Sequence, residues 1–279
     1  MVRPKEHARI FVRSQVLRRW LPGPSQSWRK IIARGGIALL ALLSLRGYVL
    51  RNLPAASAQQ TGSIVGVVTL EGEPPKPQRI EITTDIATCG SAPKYEEDLL
   101  VGPNHGIANA VVSIPDAPSA APVGQAAPGK EVQMDQRGCR YEPHVLAFQV
   151  GTTVEVINSD GTLHNVHTHS KLNRPLNLAQ PSFKKVLRVK LDHPEIVHVT
   201  CDQHNWMSGW WFVAPNPYYA VSDRAGHFKI SGVPPGKYQL QVWQEVLGTI
   251  SKPVTVEAGR TTSVNFVVNL ASRGSGERE

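Results

Sequence analysis

The sequence predicts an all-β fold built from sandwiches, and three observations carry that reading. After residue 58 no apolar period of 3.6 residues is sustained over three turns. Short runs rich in Val, Ile, Thr and aromatic residues instead alternate apolar with polar positions. Turn signals punctuate these runs, at Glu71-Gly72-Glu73-Pro74-Pro75, at Gly151, at Asp223-Arg224-Ala225-Gly226 and at Pro234-Pro235-Gly236. The chain of 279 residues is long enough for about two domains, each able to bury its own core.

Taken in order, Ser63 to Leu70 reads as the first strand and Arg79 to Thr83 as a short second one. Residues 84–106 are irregular by pattern, and Ala108 to Ile114 is again a strand. Pro115, Pro118, Pro122 and Pro128 break any regular element across 115–130, which marks a linker or crossing segment. Alternation resumes at Val132, and Tyr141 to Asn158 reads as strand, turn at Gly151, and strand. A loop holding His164 and a polar stretch to Gln180 follow, then strands over 183–191, 195–200 and 210–213. Beyond Pro217 the pattern gives a hairpin over 218–230, an alternating strand over 233–243, and strands over 250–256 and 262–270. Residues 271–279 are small and charged, the composition of a disordered tail.

The net charge of +8 suggests nucleic acid until it is located. Residues 1–58 hold eleven Lys/Arg against one acid, Glu6, and the remainder holds 19 Lys/Arg against 21 Asp/Glu. The basic excess therefore belongs to the leader, and no nucleic-acid partner is expected. In that leader Arg29, Lys30 and Arg34 precede an apolar run from Gly35 to Leu45, and Ala56-Ser57-Ala58 forms a small-x-small cleavage signal. The run is about half the length a membrane-spanning helix needs, so 1–58 is expected to be an export signal and the protein periplasmic or secreted. Arg46 and Arg51 after the run, and the length before Arg29, leave open an uncleaved anchor through Gly47-Tyr48-Val49-Leu50. Arg18-Arg19-Trp20 resembles a twin-Arg start but lacks the apolar run behind it.

The chemistry concentrates in Cys201-Asp202-Gln203-His204-Asn205-Trp206-Met207, where a thiolate, an imidazole and a thioether recur every three residues. A second imidazole is available upstream at His164. Two imidazoles and a thiolate with a weak axial thioether form the ligand field that selects copper and suits it to one-electron transfer. The candidate ligands of one such copper site are thus His164, Cys201, His204 and Met207. Of the three cysteines, Cys89 and Cys139 remain free to pair if Cys201 ligates the metal. The competing reading pairs Cys201 with one of them and leaves no metal site. His167 and His169 share a face in extended chain, as surface histidines or as a second metal site. Trp206, Trp210 and Trp211 read as core, with Trp206 alternatively part of an apolar docking patch beside His204.

Two resemblances follow from these motifs. Tyr141-Glu142-Pro143, Val150-Gly151, Asn158, His164-Asn165 and the Cys201-x-x-His204-x-x-Met207 loop resemble the cupredoxins, in particular amicyanins and plastocyanins, over roughly 132–214. Asn205 departs from the family, where a proline is frequent, and so do the extra His167 and His169. The segment 218–270, with Ser222-Asp223, Gly226-His227-Phe228 and Val233-Pro234-Pro235-Gly236-Lys237-Tyr238, resembles the second half of the carboxypeptidase regulatory-like domain, a transthyretin-like sandwich. That domain's usual opening resembles Gly66 to Pro75 and Ala108 to Ile114. The expected architecture is a leader at 1–58 and a regulatory-like sandwich in two parts, 62–118 and 216–270. A cupredoxin Greek-key sandwich at 119–215 is inserted in it; the alternative is a cupredoxin followed by a C-terminal half-domain, with an unrelated N-terminal hairpin.

The resemblance implies an exported type 1 (blue) copper protein, not an enzyme, that passes single electrons to redox partners such as a cytochrome or dehydrogenase. The His204 edge is the expected port to them, and Asn165 is expected to tie the two ligand loops together. The alternatives are a non-redox, carbohydrate-binding-like module using Tyr218, Tyr219 and Trp243, and a copper storage or delivery protein. A membrane enters only if the leader stays uncleaved.

Overall fold

The computed structural model describes residues 60–90, 92–118 and 131–270. The expected leader, most of the proline-rich segment 115–130 and the tail lie outside the described residues. Among those described, the protein is nearly all β, with one helical turn at Ile86–Cys89 and a 3-10 turn at Pro103–His105. No helix among them is long and apolar enough to cross a membrane.

Four main sheets form two facing pairs, each enclosing a core. In the first pair, Gly62–Glu71 lies between His227–Val233 on one side and Thr261–Ser263 and Phe266–Asn269 on the other. The opposing sheet runs Tyr219–Val221, Val111–Ser113, Gly236–Gln244, Gly248–Val256. Strict two-residue alternation in Gly62–Glu71 turns Ile64, Val68 and Leu70 inward onto Val112, Ile230, Leu240 and Phe266. Gly66 is required within this strand: a Cβ there would stand 1.8 Å from the Val264 carbonyl oxygen. Ile64 is fully buried, so Ile64→Val is expected to cost about 1 kcal/mol of stability, readable as a shift of the urea midpoint.

The second pair is built wholly from residues 132–214. One sheet runs Asn177–Gln180, His164–Thr168, Glu195–Thr200, Ser208–Ala214, Val145–Gln149. The other runs Val186–Lys190, Thr153–Asn158, Val132–Gln136, Tyr141–Glu142. Their core contains Met134, Tyr141, Phe148, Val156, Val197, Trp211, Cys201 and Met207. Strand Ser208–Ala214 is buried on both sides toward its end. Trp211 and Val213 enter this core, whereas Phe212 and Ala214 join Val111, Val145 and Trp243 in a third cluster that reaches into the first pair of sheets.

Two differences from the sequence expectation have a common cause. His164–Thr168 and Asn177–Gln180 are strands, not loop. His164 accordingly begins a strand, although the pattern placed it in a loop after one. Their buried residues are mostly polar, His164, Asn165, Thr168 and Gln180 beside the single apolar Val166, so alternation of apolar residues could not reveal them. Tyr218 and Trp243, considered above for holding a glycan, are buried in the cores and do their work by packing.

Candidate metal centre

The site forms where two strands of one sheet end. His164 opens its strand, and Cys201 directly follows Glu195–Thr200, which is hydrogen-bonded to that strand through Val199 and Thr200. The ligand loop then closes on itself: Met207 N donates to the His204 carbonyl at 2.9 Å, and Cys201 N donates to the Met207 carbonyl at 3.1 Å. Asn165 joins the two segments, its Oδ1 accepting from Asp202 N at 2.6 Å. Asn177 braces that contact, accepting from Asn165 Nδ2 and donating to Asp202, each at 2.7 Å. Tyr141 adds a third tie, its hydroxyl reaching the carbonyls of Asn165 at 2.5 Å and Thr200 at 3.0 Å.

Three donor atoms converge. His164 Nδ1 and His204 Nδ1 stand 3.1 Å apart, and Cys201 Sγ lies 3.9 Å from the former and 3.7 Å from the latter. All three residues are buried. The point equidistant from the three atoms is about 2.1 Å from each, close to metal–nitrogen lengths of about 2.0–2.1 Å and a metal–thiolate length of about 2.3 Å. The outer nitrogens explain why the inner ones face each other. His164 Nε2 is 2.9 Å from Asp160 Oδ2 and His204 Nε2 is 3.0 Å from Asp85 Oδ2. Ionised carboxylates only accept, so each Nε2 carries the proton and each Nδ1 presents its lone pair to the shared point. Two lone pairs and a sulfur aimed at one point repel unless a cation or a proton lies between them. The donor set therefore fits a metal ion of copper type. Met207 is buried in the same core as Cys201.

The electrostatics are those of a cation site holding a proton in the metal-free state. Burial lowers the basicity of His164, but hydrogen bonds to Asp160 and Cys201 and their negative charges prevail and push it up to about 9. Burial raises the Cys201 thiol, yet the hydrogen bond from His164 and backbone donors bring it below its ordinary value. Burial, and then the charge of His164, lower His204 despite Asp85. At pH 7 metal must therefore displace the His164 proton. Metal affinity is expected to climb at least tenfold per pH unit from neutrality as the His164 proton is displaced, and to level off above about pH 9. Calorimetric titrations in buffers of different ionisation enthalpy check this by counting at least one proton released at pH 7, that of His164.

Residues 213–269 match the family model of the carboxypeptidase regulatory-like domain. Among solved structures, the chain is similar to a copper-containing nitrite reductase from Thermus scotoductus SA-01, at 23% identity and a TM-score of 0.29, over 34% of this chain and 25% of that one. The chain thus spans a quarter of that reductase. It is also similar to a Cu(I) form of an amicyanin variant, at 23% identity and a TM-score of 0.28, over 37% of this chain and 97% of that one. A purple cupredoxin from Nitrosopumilus maritimus aligns at 20% identity and a TM-score of 0.26, over 30% and 99% of the two chains. No curated protein matches the chain.

The sheets that hold the regulatory-like match also contain Gly62–Glu71 and Val111–Ser113, and the chain between those two strands reaches the centre. There Asp85 and the disulfide between Cys89 and Cys139 pack against it. The sulfurs of both cysteines and a ring nitrogen of His204 all lie within 4.8 Å of one another. Cys201 is the free cysteine, which removes the reading that paired it. The expected port is corrected: His204 is fully buried and its outer edge faces Asp85. Trp206 is half-buried with its ring 5.2 Å from that of His204.

His167 and His169 stack at 4.5 Å between ring centroids. They bond separately to Asp202 and Thr200, each at 2.8 Å. Stacked rings direct their in-plane lone pairs in parallel, and among the described residues the close donor groups all lie at the Cys201 centre or beside it. Sequence reasoning missed Asp160 and Asp85. Asp160 had a signal, a carboxylate four residues before His164 in a Ser-Asp-Gly turn. Asp85 had none, since it lies 119 residues from His204 in sequence.

Proposed function

We propose that this is an exported type 1 copper protein that carries single electrons between redox partners. The observation that supports this most directly is the convergence of two imidazole lone pairs and a thiolate on one buried point, with each imidazole anchored behind by a carboxylate. His164, Cys201 and His204 would hold the ion, with Met207 available as a weak fourth ligand. When bound, copper in this ligand field supplies a one-electron couple. The chain's own residues do the rest. Asn165, Asn177 and Tyr141 keep the two loops in register. Burial of all three donors keeps water from the coordination point. Asp160 and Asp85 hold the rings at fixed tilt, so little need move when the charge at the centre changes. Four protein ligands leave no position for substrate, which favours a carrier over an enzyme.

The strand pairing supports a discontinuous host: strands within 62–118 and 216–270 share two sheets and one core, and the sandwich of residues 132–214 lies between them in sequence. The basic, apolar leader supports export to the periplasm or secretion. The partner is a redox protein such as a cytochrome or dehydrogenase. Loading with copper followed by optical titration against a reduced cytochrome tests the function. A carrier loses its visible band stoichiometrically as the cytochrome is oxidised and regains it when an oxidised partner takes the electron back. A storage protein releases copper to a chelator without cycling, and that result would replace the carrier reading.

A further inference from the structure

We propose that Asp85 is a positioning residue for His204, delivered from the host sandwich by a disulfide-tied turn, and that its charge tunes the centre. The inference rests on the copper reading for the direction of tuning, and on geometry alone for the positioning.

Asp85 stands at the head of the helical turn Ile86–Cys89, where an Asp side chain ordinarily accepts from the helix's first N–H groups. It makes no such cap here and has φ 48°, a conformation Asp tolerates at modest cost. One carboxylate oxygen, Oδ2, is instead shared between His204 Nε2 at 3.0 Å and Thr162 Oγ1 at 2.8 Å. A residue placed to cap its own helix is thus turned outward onto the ligand loop and onto the loop before His164.

The turn is tethered where this matters. Cys89, at its last residue, is bonded to Cys139. The backbone N–H groups of Gly138 and Cys139 donate to Asp160 at 2.7 and 2.8 Å, and Asp160 accepts from His164. A single covalent bond therefore links the two segments that support the outer nitrogens of both imidazoles. Both cysteines are buried, so the tie is shielded from thiols in solution.

A carboxylate on the outer nitrogen makes an imidazole a stronger donor and favours the more highly charged ion, and losing such a partner typically costs about 10–100-fold in metal affinity. Asp85→Asn keeps an acceptor but removes the charge; Asp85→Ala removes both. The carboxylate is about half exposed (47%), so neither change burdens the core. Three measurements test the proposal. In metal-free protein, nitrogen-15 shifts of the imidazoles are expected to show His204 held as the Nε2–H tautomer in the parent and Asp85→Asn, and a tautomer mixture in Asp85→Ala. In the copper-loaded protein, Asp85→Asn is expected to lower Cu(II) affinity about tenfold with a smaller change for Cu(I). The reduction potential then rises by up to about 59 mV for each tenfold difference. The Cys89→Ala/Cys139→Ala protein, with Asp85 intact but untethered, is expected to shift in the same direction as Asp85→Ala. An unchanged His204 tautomer in Asp85→Ala, or an unchanged potential in both Asp85 variants, overturns the proposal. If the parent takes up no copper, the copper reading fails, and the nitrogen shifts still decide whether Asp85 positions His204.

Discussion

Copper-loaded Cys201→Ser protein is expected to be colourless, with the intense visible band of the parent lost entirely. The thiolate is the only sulfur anion that can donate charge to the ion, because Cys89 and Cys139 are joined to each other. Cys201 Sγ completes the triangle with the two Nδ1 atoms at 3.7 and 3.9 Å. A serine hydroxyl at that vertex is a hard, protonated oxygen, and it can neither supply a thiolate-to-metal transition nor keep the preference for a soft ion. His164 should respond as well, since the Cys201 thiolate contributes to its raised basicity; its affinity for a proton falls in the variant. Absorption and electron spin resonance of the loaded proteins check the prediction. A narrow copper hyperfine splitting in the parent is to widen or vanish in Cys201→Ser. A band that survives the substitution removes the thiolate from the centre.

The largest effect on stability is expected from Trp211→Ala, at about 3–5 kcal/mol. Trp211 is completely buried at the middle of Ser208–Ala214, paired with Val197 on one side and Leu146 on the other. Its ring meets Phe148 edge-on at 6.2 Å, and its indole N–H points at Met134 Sδ, 3.1 Å away. No neighbouring chain end can collapse into the space an alanine leaves, because strands flank it in the sheet and the opposite sheet covers it. Urea unfolding of the metal-free protein is the appropriate measurement, with a lower midpoint at unchanged slope. Phe183→Ala is the matched control. That side chain is 85% exposed, and its loss should change stability by no more than about 0.5 kcal/mol.

Much of the fold was legible in the sequence because most strands bury one apolar face. Gly62–Glu71 alternates without interruption, and Thr153–Asn158 and Glu195–Thr200 carry their valines inward. Legibility failed where the buried positions are polar. His164–Thr168 buries His164 and Thr168 on either side of a single apolar Val166, and Asn165 on its other face, so it carries no apolar alternation to read. The three donors of the centre were recoverable because their chemistry, rather than their burial, identifies them: a thiolate and imidazole three residues apart are rare enough to stand out. What surrounds them was not recoverable. Asp85 belongs to an irregular stretch whose residues show no period, and its partner lies 119 positions away. Only the closure of the host sheets brings it near, and with it the burial of His204.

Strand Ser208–Ala214 gives one side of its end to each of two cores. The sandwich of residues 132–214 therefore cannot be cut cleanly from the rest of the described chain. A fragment ending at Ala214 would bare Val145, Phe212 and Ala214 as a continuous apolar strip, a surface that invites self-association. Within the intact chain the strand shared by the two cores is expected to make both sandwiches unfold in a single calorimetric transition.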